Sequence, residues 1–443
     1  MLNTIKNTTL PRLALGLALV ANALGCASYS SRTENALEGF RRGDIELAAE
    51  DYADEDVTGS EFLSGAEAGT VLFAAGRFDE ARRAFEGAEA RVKELEDRAL
   101  VSVSDLSESL SSWALNDTTM AYEGEGFERV YLHVFLGLCY LTEGKLEDVL
   151  VEVRRANDLL ETEEELYDSD YAAGGLGHFL SAVTYETMGE PDEALIDYRR
   201  MVEKGAGIEL AGPAMVRLAK QMHREDVLDD LTARFGDIEV PPADAASIVV
   251  IAGVGLGPYK EERGISVETF DGLLQVAAPV FERRGQPVGN LRLVLDGGAG
   301  SIRTATVEEV HKVAEQNLDD RVFKIAAKSI ARTVAKRELT KKLEDDHGIL
   351  GRLAGDIFTF ASERADLRFW QTLPDSWQAA RLFVAPGEHG LTLEAGPAGS
   401  IDLGSYHLAP GETMFILART VDYQLYAHAI GGDPLTETTG VTP

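Results

Sequence analysis

The chain has 443 residues, 45% of them hydrophobic and 26% charged, which is ordinary for a globular protein and enough for two or three cores. Its formal net charge of −33 argues against binding nucleic acid or an anionic membrane surface, unless basic residues gather locally.

The amino terminus differs from the rest. Lys6 and Arg12 form a positive flank, residues 13–24 make an apolar run interrupted at Asn22, and Gly25 precedes Cys26. That apolar run is shorter than the ~20 residues a membrane-spanning helix needs, so residues 1–25 read as a signal peptide. The ending Ala23-Leu24-Gly25-Cys26 resembles a bacterial lipobox, which would make Cys26 the lipidated first residue of the mature chain. Cleavage without lipidation is the other reading. Cys139, the second cysteine, lies in a helical pattern and reads as a small buried hydrophobe rather than a disulfide partner. Ala27 carries no retention signal, so the expected address is the outer membrane, facing the periplasm.

Residues 26–56 form an acidic segment with Glu50, Asp51, Asp54, Glu55 and Asp56 close together. The spacing of a calcium loop is missing, and a solvated face is the plainer account. A helix is expected over about residues 36–54.

Residues 57–238 read as stacked helical hairpins. His133, Gly137, Tyr140, Gly144, Val149, Val153 and Ala156 recur at the same offsets as His178, Ala182, Tyr185, Gly189, Ala194, Tyr198 and Met201, a tetratricopeptide (TPR) pattern. Small residues at Gly137 and Ala182 allow close approach, and Gly144 and Gly189 end the first helix of each pair. An earlier partial match contains Gly69, Leu72, Gly76, Phe78, Ala81, Phe85 and Ala88. Residues 102–119 read as an insertion or a degenerate pair, and residues 161–170 as an acidic insert. Pro213–Met222 and Asp226–Phe235 make a closing pair.

Pro241-Pro242 ends this region. Residues 246–364 read as mixed α/β, with strands at 247–254, 273–281 and 291–295. The Gly253, Gly255, Gly257 turn lacks the spacing and the Gly-Lys-Ser/Thr of a phosphate loop. A long helix is expected from Thr306 to Leu343, with Lys324, Lys328, Arg332 and Lys336 forming a basic stripe. The stripe could grip an anionic partner or simply offset the acidic surface. Residues 365–432 are expected to form a small antiparallel β-sandwich, because Ala385-Pro386-Gly387-Glu388 recurs as Ala409-Pro410-Gly411-Glu412 before apolar strands. Trp370 and Trp377 could stack on glycans or anchor the domain junction. Residues 433–443 read as a flexible tail.

The lipobox and helical pairs, together with Glu152-Val153-Arg154-Arg155-Ala156 and Asp197-Tyr198-Arg199-Arg200, resemble an uncharacterised family of bacterial TPR-containing outer-membrane lipoproteins. The turn Gly257-Pro258-Tyr259-Lys260 and the stretch from Glu363 through Trp370, Thr372-Leu373-Pro374 and Arg381 to His389 carry the resemblance further. It implies no enzymatic activity; some members look to be encoded near lipoprotein activators of penicillin-binding proteins, which points toward cell-wall assembly.

The eight histidines include no HExxH or other close metal spacing, and no Gly-x-Ser-x-Gly elbow occurs. No catalytic residue, metal or cofactor is therefore expected. The expected function is a lipid-anchored periplasmic scaffold whose TPR groove takes a protein partner through Tyr131, Phe135, Tyr171 and Phe179. A cell-wall or envelope-glycan binding module is the alternative, followed by a peptidoglycan-active enzyme.

Overall fold

A computed structural model describes residues 28–102, 121–167, 173–269, 272–298, 300–318 and 366–435. Cys26, the signal peptide, Tyr171 and the basic stripe Lys324, Lys328, Arg332 and Lys336 lie outside the described residues, as do residues 103–119, 168–170 and 436–443.

The helical layer begins with α1 (Tyr29–Arg32), α2 (Glu34–Arg42), α3 (Ile45–Ala53) and α4 (Glu55–Thr58). The helix expected over 36–54 is two helices, because Gly43 takes a left-handed φ of 83° and Asp44 caps the next helix through Leu47 N. Tyr29, Phe40 and Tyr52 of this segment are buried in the same core as the later helices. Hairpins follow: α5 (Glu61–Ala74) with α6 (Phe78–Ser102), α7 (Gly126–Thr142) with α8 (Leu146–Tyr167), α9 (Gly175–Met188) with α10 (Pro191–Glu203), and α11 (Ile208–Gln221) with α12 (Glu225–Phe235).

One turn joins each of these pairs. Arg77 N donates to Leu72 O, Lys145 N to Tyr140 O, Glu190 N to Tyr185 O and Arg224 N to Ala219 O, each bond closing around a residue with positive φ. The first three hairpins use Gly76, Gly144 and Gly189 there, while the fourth uses His223 at φ 55°.

The strands are β1 (Ala246–Val254), β2 (Tyr259–Thr269), β3 (Gly272–Glu282), β4 (Arg292–Leu295), β5 (Gly300–Arg303), β6 (Ala305–Glu309), β7 (Ser376–Val384), β8 (Gly387–Glu394), β9 (Ser400–Leu408), β10 (Thr413–Val421), β11 (Gln424–Ile430) and β12 (Asp433–Pro434). One sheet runs β11-β10-β1-β7-β6, the second runs β12-β9-β8-β4-β5, and β2 and β3 pair as a hairpin. β1 is parallel to β10 and antiparallel to β7. Every one of its residues is buried, and all but Ser247 are apolar, because both its faces are covered. Val249 and Ile251 join the core of the helices, whereas Ile248, Val250 and Ala252 join a second core with Leu293, Leu391, Leu393 and Leu408 of the other sheet.

The small antiparallel sandwich expected over 365–432 does not form from those residues alone. Strands from 246–309 interleave with those from 376–434, and the central pairing is parallel. The expected helix from Thr306 also starts later: β6 pairs with β7 first, and helix begins at residue 310. The two Pro-Gly turns join β7 to β8 and β9 to β10, as their spacing indicates. Among the described residues no helix is long and apolar enough to cross a membrane.

Candidate functional site: a strap clasped against the helical layer

Residues 366–375 run between the helices and the mixed sheet without joining either as regular structure. A backbone without regular structure in an apolar core must find partners for its N–H and C=O groups. Here side chains supply them. Glu128 of α7 accepts from Trp370 N at 2.6 Å, and Glu67 of α5 accepts from Gln371 N at 2.7 Å and Thr372 N at 2.9 Å. Lys260 Nζ donates to Arg368 O at 3.0 Å, Arg419 Nη2 to Thr372 O at 2.9 Å, and Gly257 N to Leu373 O at 2.7 Å.

Strap side chains are held as closely. The Trp370 indole lies among Phe62, Phe85 and Phe135, with ring centroids 6.2, 6.0 and 5.5 Å away, and its Nε1 donates to Thr70 Oγ1 at 3.0 Å. Gln371 Nε2 donates to Thr33 Oγ1 and Tyr52 OH. Phe369 packs edge-on against Tyr29. The inner face of the first two hairpins thus holds an irregular peptide, and that peptide belongs to the same chain.

Several charges at this clasp are wholly removed from water. Burial pushes Glu67 and Glu128 up to about 7, although Tyr29 OH donates to the first and Tyr122 OH to the second. Glu308 of β6 is also raised by burial; it accepts from Tyr131 OH at 2.6 Å and Leu176 N at 2.7 Å, fixing the start of α9. Burial lowers Lys260, which pairs with Glu125 at 2.6 Å. Burial also lowers Arg419 to about 9; its guanidinium has carbonyl partners at Gly253, Gly255, Thr372 and Thr420.

The expected partner-binding residues take other roles. Tyr131, Phe135 and Phe179 are each no more than 1% exposed, so they are core and not a groove lining. Trp370 and Trp377 are each 1% exposed, which removes the sugar-stacking reading and leaves the junction-anchor one. Sequence reasoning missed Glu67 and Glu128, yet both carry a signal: each is a carboxylate inside an otherwise apolar helix face, a placement that requires partners.

The outer side differs. Between α6, α7 and α8 lies a cleft of about 340 Å³ lined by residues that include Val92, Lys93, Arg129, Leu132, His133, Arg155 and Asp158. His133 Nδ1 is 2.7 Å from Glu152, which also accepts from Arg155 at 2.8 Å. The next hairpin repeats the pair, with His178 Nδ1 2.8 Å from Asp197, at the same separation along the chain. Both histidines are buried, as the repeat reading expects of packing residues. Beside the last hairpins, burial opposes ionisation of Glu186, but Arg381 and Arg217 hold its carboxyl below the usual range. Cys139 is a buried free thiol, pushed well above its ordinary range by burial. Among the described residues no group of three or more His, Cys, Asp or Glu side chains is placed to hold a metal ion.

No protein-family model matches the chain, and no curated protein matches it. Among solved structures, the crystal structure of MamA protein is similar at 13% identity, covering 48% of this chain and 98% of that one, with a TM-score of 0.30. Likeness at that level leaves the site to be read from its own geometry.

Proposed function

We propose that this chain is a non-catalytic scaffold of the cell envelope, held at the outer membrane by lipid on Cys26 and facing the periplasm. Its TPR-like hairpins present a surface to a protein partner, and the resemblance to envelope lipoproteins supports a partner that works in cell-envelope or peptidoglycan assembly. The recurrence of one hairpin turn at Gly76, Gly144, Gly189 and His223 is the observation that carries this reading, since stacked hairpins are a common way to build an extended contact surface. Because the chain's own strap fills the inner face, the partner contact belongs on the outer side, at the cleft between α6 and α8. Lys93, Arg155 and Asp158 there offer both signs of charge beside Val92, Leu132 and Leu159.

The test is a photo-crosslinking residue placed at Lys93 or Asp158 in intact cells, with Cys26→Ala as the companion variant. One defined envelope protein should crosslink, Arg155→Glu should abolish the adduct, and Cys26→Ala should leave the membrane fraction. Absence of any discrete adduct, or muropeptide release by the purified chain, would overturn the reading.

A further inference from the structure

Glu67 and Glu128 sit on neighbouring hairpins at the boundary between helices and mixed sheet, and each is fully buried; both oxygens of Glu67 accept from strap amides, while Glu128 accepts from Trp370 N with one oxygen and from Tyr122 OH and Glu125 N with the other. Glu67 has neutral donors alone among its hydrogen-bond partners: Tyr29 OH, Gln371 N, Thr372 N and the Thr372 hydroxyl. We propose that residues 366–375 are a proton-controlled latch between the helical layer and the mixed sheet, closed most firmly when Glu67 and Glu128 are protonated and loosened when both are charged.

The charged and titratable groups around the pair set the direction. Facing Glu67 are Tyr29 of α1, Tyr52 of α3, Glu128 of α7 and Arg284 after β3. Facing Glu128 are Tyr122 and Glu125 before α7, Lys260 of β2 and Glu67; the Glu125 carboxylate holds Lys260 at 2.6 Å, and Asp366 and Arg368 of the strap act on Tyr122 and Lys260. Burial outweighs the influences that favour charge: Lys260 and the donated hydrogen bonds hold Glu128 down, and hydrogen bonds alone do so for Glu67, yet both carboxyls stay raised, so the charged state is only partly compensated.

Loosening admits water and returns each carboxyl toward its ordinary value of 4.5, from about 7 in the closed state. The closed latch therefore binds more protons than the open one. Its closure is complete below the ordinary value, weakens as pH rises toward about 7, and levels off above that. This direction opposes the common case, in which paired carboxylates stabilise a fold as pH rises. The latch stands apart from the scaffold reading, because it concerns this chain alone.

Hydrogen exchange of the full purified chain between about pH 5 and about pH 8, with intrinsic rates divided out, tests the latch. Protection of the amides of Trp370, Gln371 and Thr372 should fall at least about tenfold across that range, one pKa unit being a factor of ten. Amides of α11 and α12 should stay level. Glu67→Gln should flatten the profile, with Glu128→Gln as the second variant, and the wild-type profile decides alone if neither folds. Strap protection that does not change with pH, or that falls equally in α11 and α12, overturns the latch.

Discussion

The two faces of the helical layer use the same side-chain chemistry to different ends. On the inner face Glu67 and Glu128 are fully buried and hold backbone amides of the strap. On the outer face Glu152 and Glu89 hold Arg155, whose side chain is 47% exposed. A buried carboxylate that loses its partners keeps its desolvation cost, whereas an exposed ion pair is screened by water and salt. The inner face is therefore fastened, and the outer face is left free to exchange one charged partner for another.

That contrast orders the mutational expectations. Trp370→Ala empties a space ringed by Phe62, Phe85 and Phe135, and should cost about 3–5 kcal/mol in denaturant unfolding. Glu67→Ala strands two strap amides and the Tyr29 hydroxyl, and should cost about 3 kcal/mol in the same measurement. A loss below about 1 kcal/mol for either would mean that the inner face is not fastened as described. His223→Gly should raise stability by about 1 kcal/mol, seen as a higher melting temperature, because glycine holds φ 55° without the strain of a Cβ. The smallest effect belongs to the outer cleft, where Arg155→Ala should change stability by less than about 1 kcal/mol while removing the partner adduct.

Much of the helical layer was legible in the sequence, because hairpins make local contacts and leave regular offsets. Gly144 and Gly189 mark their turns directly, and Pro386 and Pro410 mark the turns between strands. The fourth hairpin turn was less visible, since His223 stands where glycine would have signalled it. The site itself was hidden for a different reason. The hydrogen bond from Gln371 to Glu67 joins residues 304 positions apart, and no local periodicity reports such a pairing. Phe135 and Tyr131 have the aromatic character of groove residues, yet what occupies a groove is decided by the rest of the chain. The stretch around Trp370 and Thr372-Leu373-Pro374, on which the family resemblance rests most specifically, turns out to be the strap. A glutamate within an apolar helix face, as at Glu67 and Glu128, was the available clue.

The filled inner face is tested most directly by the fluorescence of Trp370 alone, in a chain carrying Trp113→Phe and Trp377→Phe. Blue-shifted emission that acrylamide quenches far less than it quenches free tryptophan is the expected result. Emission of a water-exposed indole, quenched as readily as the free amino acid, would contradict the account.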